Sequence, residues 1–192
     1  LRGAPVYRWL KERIEGGDLG RLYAFDGDYL YGRLHKITEG WRKEVEDYSV
    51  MSGGGIHLID LMVWLTGQTP QTVTSVGNNI CTRDTSFQYD DFMASTFQFG
   101  SGLSGRITAN FGCVHKHHHV MRVFGTEGTF IYDDLGPRLY KTRDPDEHPQ
   151  FMDLATLPTG KGDLIPGFIS AVRGDLNSCI GLQHNLNIIS IT

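Results

Sequence analysis

Between residues 71 and 133 the chain reverses at short, regular intervals. QTVTSVGNNI, DDFMASTFQFG, GLSGRITANFG, HVMRVFGTEG and GTFIYDD are rich in β-branched and aromatic residues, and glycines punctuate them. Runs of this length and composition read as successive antiparallel strands, with GTEG as the tight link between the last two. Helical patterns bracket the run. The order helix, strand, helix, many strands, helices lacks strict βαβα alternation. The expected class is therefore α+β: an open, mostly antiparallel sheet with helices on one face. FMASTF and VMRVF carry apolar residues at both parities. The second face is thus expected to meet a partner, and a homo-oligomer, dimer or tetramer, built through the sheet is expected.

One turn in this run needs separate treatment. GSGLSG at residues 100–105 has the G-x-G-x-x-G spacing of a dinucleotide loop. That loop works only with a strand before it, a helix after it, and an acid about 20 positions on. The strand before is plausible. RITANFG, however, is β-branched and aromatic and ends at Gly112, and the position for the acid is Gly125. The residues therefore predict a β-hairpin, not a phosphate cradle.

The chain has 192 residues, 40% of them hydrophobic, which suits one domain spanning 1–192. Its net charge of −4 leaves no basic footprint for nucleic acid. No run of about 18 apolar residues is present to cross a membrane, and the first residues are amphipathic, unlike a signal peptide. Cys81, Cys113 and Cys179 are too few and too scattered for a disulfide framework, so reduced thiols in a cytoplasmic protein are expected. The chain starts at Leu1 and stops inside the apolar pattern HNLNIISIT, as a piece of a longer protein would.

Val6, Leu10 and Ile14 step along one side of a helix that Gly16 and Gly17 end. RLYAFDGDYLYGRL alternates aromatic and polar residues, as a strand with one wet face does. Residues 34–52 read as a long irregular loop around Trp41. MSGGGIHLIDLMVWLTG then leads three glycines into a helix with Ile56, Ile59, Met62 and Val63 on one stripe. LIPGFISAVRG is expected to form another helix, with Pro166 in its first turn.

His57 sits in the first turn of the glycine-led helix, with Asp60 three positions on and on the same face. A histidine titrating near neutrality can take a proton from a hydroxyl. A buried histidine satisfied by Asp60 is the structural alternative. Cys113, His115, His117 and His119 share one parity. Ligands on one straight strand stand about 6–7 Å apart and cannot all converge at zinc distances. No metal site is therefore expected there, and a wet, histidine-rich sheet end is.

GGGIHLIDLMVWLTG resembles the catalytic-domain helix of the glucose–fructose oxidoreductase, inositol dehydrogenase and MocA family (Gfo/Idh/MocA). PVYRWLKERIEGGDLGRLYAFDGDY, FGTEGTF and LIPGFISAVRG resemble, in order, its crossing helix and first strand, its late hairpin turn and the helix that follows. The resemblance implies the family's dihydrodipicolinate-reductase-like C-terminal domain, without the N-terminal Rossmann domain that holds NAD or NADP. It implies that His57 exchanges the substrate hydroxyl's proton and that Asp60 orients the histidine or its helix. Tyr31, Arg33, Trp41, Arg42, His117 and His119 become candidate substrate contacts. Gly54 and Gly55 become candidate cofactor contacts. Many members carry an aspartate four residues before the histidine. Here that position is Gly53, so Glu46 or Asp47 would have to substitute. The family's E-K-P lysine would lie in the absent domain.

Two functions follow as expectations. One is the substrate-binding and oligomerising part of an NAD(P)-dependent dehydrogenase of sugars or cyclitols. The other is a non-catalytic sugar-binding or dimerisation module of the same fold.

Overall fold

In a computed structural model, residues 1–46, 48–158, 160, 162, 165–174 and 182–192 are described; Asp47 and Cys179 lie outside them. Pro5 opens α1 (Pro5–Glu15), where its missing N–H costs nothing. The buried side of α1 is Val6, Tyr7 and Leu10. Gly17, at φ +83°, takes the left-handed conformation that turns the chain toward β1 (Leu22–Leu30). Along β1 the residues alternate, with Phe25, Gly27 and Tyr29 buried and their neighbours part-exposed.

A single eight-stranded sheet follows. Its further strands are β2 (Thr72–Asn78), β3 (Phe92–Gln98), β4 (Ser104–Asn110), β5 (His118–Gly125), β6 (Thr129–Asp133), β7 (Gly136–Tyr140) and β8 (Gln150–Phe151). The spatial order is β2-β3-β4-β1-β5-β6-β7-β8. Only the β1–β4 pair is parallel. The meander expected from the sequence is therefore split: β1, the earliest strand, is wedged between β4 and β5. The 126–128 turn joins β5 to β6, but β7 and β8 lie beyond it, so it is not the last hairpin.

GSGLSG is the β3–β4 hairpin. The Phe99 N–H donates to the Leu103 carbonyl at 3.1 Å and the Gly102 N–H donates to Phe99 at 3.0 Å. Gly102 has φ +87°, which a residue with a Cβ rarely adopts. A strand, not a helix, leaves this turn, so its backbone N–H groups converge on no phosphate position.

The expected loop at 34–52 is partly ordered into turns. α2 (His35–Thr38) is one helical turn and residues 41–44 form a 3-10 turn. Met51–Gly55 form a π-helical turn that runs straight into α3 (Ile56–Thr66). The expected amphipathic stripe of α3 is also revised. Leu58, Ile59, Leu61, Met62, Val63 and Leu65 are all buried, so the helix is apolar nearly all round. Its polar edge is His57, Asp60 and the half-buried Trp64, spaced to share one face. α3 lies on the sheet: a side-chain atom at Gly27 would meet Leu58 at 3.2 Å, and one at Gly105 would meet Met62 at 2.5 Å. The remaining helices are α4 (Ile165–Val172) and α5 (Leu182–Ile189).

The opposite sheet face centres on ions. Asp26 takes a fork from Arg106, with one arm at 2.8 Å, and a bond from Arg122 Nη1 at 2.8 Å. Asp28 accepts from Thr108 at 2.7 Å and lies 3.3 Å from both arginines.

Candidate active site

The candidate residues gather where β1, β5 and the start of α3 meet. Tyr29 is at the centre. It is buried at the end of β1, and Tyr31, two residues on, emerges on the same side and stacks with it at 5.9 Å between ring centroids. His57, His117 and His119 surround Tyr29 at 6.1, 5.4 and 5.2 Å. The histidines also neighbour each other: His117 to His119 at 5.0 Å and His57 to His119 at 6.2 Å. The sequence thus named three histidines from two distant segments that the fold brings together.

The four-residue Cys/His line does not form. The chain bends at Phe111 and Gly112, and the strand begins only at His118. His115 turns to the surface and pairs with Asp134 at 3.1 Å. The Cys113 thiol reaches the Asn110 carbonyl at 3.6 Å. Among the described residues no group of three or more His, Cys, Asp or Glu is placed to hold a metal ion.

Burial sets the charge of this cluster. Desolvation lowers the pKa of His57, and Asp60 pulls it back only in part. Desolvation, then the nearby Arg33 charge, lowers His117. His119, 8% exposed, is pushed by desolvation and by its histidine neighbours down to about 3. At neutral pH these are three neutral imidazoles. The Nε2 atoms of His117 and His119 are buried, with no hydrogen-bond partner among the described residues. Each such nitrogen is able to hydrogen-bond a small polar group. His57 stands at the edge with its side chain exposed.

Asp60 does not serve as a free carboxylate. Arg2 grips it with both arms, at 2.9 and 2.6 Å, and lies over the Trp64 ring at 5.7 Å. That fork ties α3 to the segment before α1. The expectation that Asp60 orients the helix fits this contact. The Asp60 charge also reaches His57, raising that pKa against the larger effect of desolvation.

Gly54 and Gly55 also differ from expectation. The resemblance makes them candidate cofactor contacts, yet both are buried. The space a Cβ would need at Gly54 is filled by the Tyr29 ring, and at Gly55 by the Met51 sulfur and Ala109. Their bareness admits protein side chains. Gly54→Ala should therefore force Tyr29 against its histidine and tyrosine neighbours. A loss of about 1–3 kcal/mol, the cost of overpacking a tight core, is expected in urea unfolding.

Arg33 is exposed and lies over the Tyr31 ring at 5.7 Å. Trp41, 62% exposed, carries Arg42 over its face at 4.8 Å. Arg42 Nε donates to the Tyr48 hydroxyl at 3.1 Å, and Tyr48 stacks on Phe111 at 6.1 Å. Phe111 in turn meets Tyr31 at 5.6 Å. An aromatic path thus runs from Trp41 to the histidines. Outside it, a groove of about 370 Å³ is lined by His35, Lys36, Glu39, Gly40, Trp41 and Arg42. A cavity of about 120 Å³ beside the 126–128 turn lies at the far end of β5 and is not part of the site. Sequence reasoning missed Tyr29, Tyr48 and Phe111. Tyr29 had a usable signal, since it shares a strand parity with Tyr31.

The fold is that of an α+β domain: an open sheet, one face under helices, with histidines gathered at one edge. The family model of the GFO/IDH/MocA C-terminal domain matches residues 7–131, and the chain belongs to that family. No curated protein sequence matches it. Among solved structures it is similar to an aldose–aldose oxidoreductase from Caulobacter crescentus complexed with glycerol (TM-score 0.79, 16% identity, 99% of this chain and 57% of that one). It is similar to myo-inositol 2-dehydrogenase from Lactobacillus plantarum (TM-score 0.73, 16% identity, 99% and 58%). It is also similar to the WlbA dehydrogenase from Bordetella pertussis in complex with NADH and UDP-GlcNAcA (TM-score 0.73, 18% identity, 95% and 54%). At these identities the likeness is one of fold. The chain spans little more than half the length of each.

Proposed function

We propose that this chain is the substrate-binding and oligomerising part of a cytoplasmic, NAD(P)-dependent oxidoreductase that oxidises a hydroxyl of a sugar, cyclitol or sugar derivative. The observation that carries this reading is the cluster itself. His57 stands at the exposed edge of a cluster whose other two imidazoles, His117 and His119, carry buried Nε2 atoms without a partner among the described residues, and a polyol offers hydroxyls to them. Family membership supports the reaction class.

The described residues do not fit a dinucleotide cradle. The one fingerprint loop is a hairpin, and Gly54 and Gly55 are closed by Tyr29 and Met51. A separate nucleotide-binding domain is therefore part of the proposal, its nicotinamide supplying the hydride acceptor. On this chain, His57 takes the hydroxyl proton as the C–H bond breaks and the alcohol becomes a carbonyl. Arg33 and Arg42 flank the mouth, where they suit an anionic substrate group. The ion-rich second sheet face is the proposed contact between copies.

Two measurements on the protein as its organism makes it test this reading. Intact mass should exceed 21.5 kDa by one ordinary domain of about 100–150 residues. Incubation with NAD⁺ or NADP⁺ and a panel of D-glucose, myo-inositol and UDP-N-acetylglucosamine should produce reduced cofactor. A mass near that of this chain, with no reduction, would leave a sugar-binding module instead.

A further inference from the structure

Gly53 lies four residues before His57, in the π-helical turn that leads into α3. Its own side has no room to spare. A Cβ built there would fall 2.5 Å from Tyr48 Cζ and 2.7 Å from the Tyr48 hydroxyl oxygen. The phenol of Tyr48 therefore fills the volume that any side chain on residue 53 would claim. A larger residue at 53 would have to displace the Tyr48 ring from this pose.

The phenol is also held in a defined pose. Its ring stacks on Phe111, with planes 14° apart, and packs edge-on against Trp41 at 6.2 Å. Arg42 Nε donates to its oxygen. An oxygen that accepts from Arg42 keeps its own proton to donate. Tyr48 is only half-buried, so that proton can be offered outward to a ligand.

We propose that the Tyr48 hydroxyl donates a hydrogen bond to a substrate hydroxyl beside His57, from the space that a side chain on residue 53 would otherwise occupy. The assignment rests on the oxidoreductase reading above. It makes Tyr48 a substrate-contacting, specificity-determining residue, with Arg42 as the positioning residue behind it. It also accounts for Gly53: the position is bare because a loop residue five places earlier supplies its polar group. The class of ligand that fits is a polyol with a hydroxyl next to the one oxidised.

The test uses the natural protein, both cofactors and the three-member panel above. Tyr48→Phe keeps the ring on Phe111 and removes only the hydroxyl. It should lower kcat/KM about 10-fold, as loss of a hydrogen bond to a substrate group does, mainly through KM, with Tm unchanged. Gly53→Asp with Tyr48 present should lower Tm. Tyr48→Ala with Gly53→Asp should recover it, because the vacated ring space admits the carboxylate. Wild-type kcat/KM in Tyr48→Phe, or a wild-type Tm in Gly53→Asp, would overturn the assignment while the enzyme reading stood. A wild type that reduces neither cofactor with any panel member would bring down the enzyme reading and this assignment with it.

Discussion

Replacing His57 by alanine in the natural protein should lower kcat by about 10²–10⁴-fold, the contribution of a positioned acid/base. The structural case is specific to this residue. His119 is buried and His117 half-buried, both packed against Tyr29. His57 alone of the three is exposed, at the N-terminal end of a helix otherwise sunk in the core. Partial desolvation lowers its pKa, with Asp60 opposing, which favours the neutral form that accepts a proton. The acid limb of kcat/KM should accordingly lie below the ordinary histidine value near 6.5, with activity lost as pH falls through the lowered value. Because the side chain is exposed and Leu58 and Ile59 carry the packing, Tm should change little. A pH–rate profile and a melting curve on the same preparation check both halves. An unchanged kcat would remove His57 from the mechanism.

The helix carrying His57 was legible from glycines, apolar spacing and resemblance. Its surroundings were not, because they depend on contacts distant in sequence. Arg2 and Asp60 are 58 positions apart, and nothing local marks Arg2 as the partner. β1 lies between β4 and β5 through pairings that join residues about 80 to 100 positions apart. Alternation can mark a strand but not choose its neighbours. The β3–β4 hairpin, by contrast, was readable in full: Ile107 and Thr108 are β-branched where a phosphate loop would need a helix. β7 escaped notice because GPRLY opens on glycine and proline, which read as a turn. Tyr48 escaped because its role depends on what residue 53 lacks, a complementarity visible only in three dimensions.

Mild acid should destabilise this domain through its histidines, and His119 should dominate. An unfolded histidine takes up a proton near pH 6.5. Folded His119 refuses it until about pH 3, because its ring is buried beside Tyr29 with two other imidazoles near it. Between those values the unfolded state binds the extra proton, so stability is fully present above pH 6.5 and falls as pH drops. One such group costs about 1.4 kcal/mol per pH unit, or about 3 kcal/mol between pH 6.5 and 4.5. His57 and His117 shift in the same direction and add to the upper part of that window. His119→Gln keeps a polar side chain and removes the titration. Urea unfolding at half-unit steps from pH 7.5 to 4.5 should show a shallower decline in the variant, by about one proton's worth of slope. The range stops above most carboxylate titrations, so the difference between the two curves belongs to the histidine. Equal slopes would mean that folded His119 accepts a proton in mild acid. The ring's surroundings would then be open enough for water to stabilise the imidazolium.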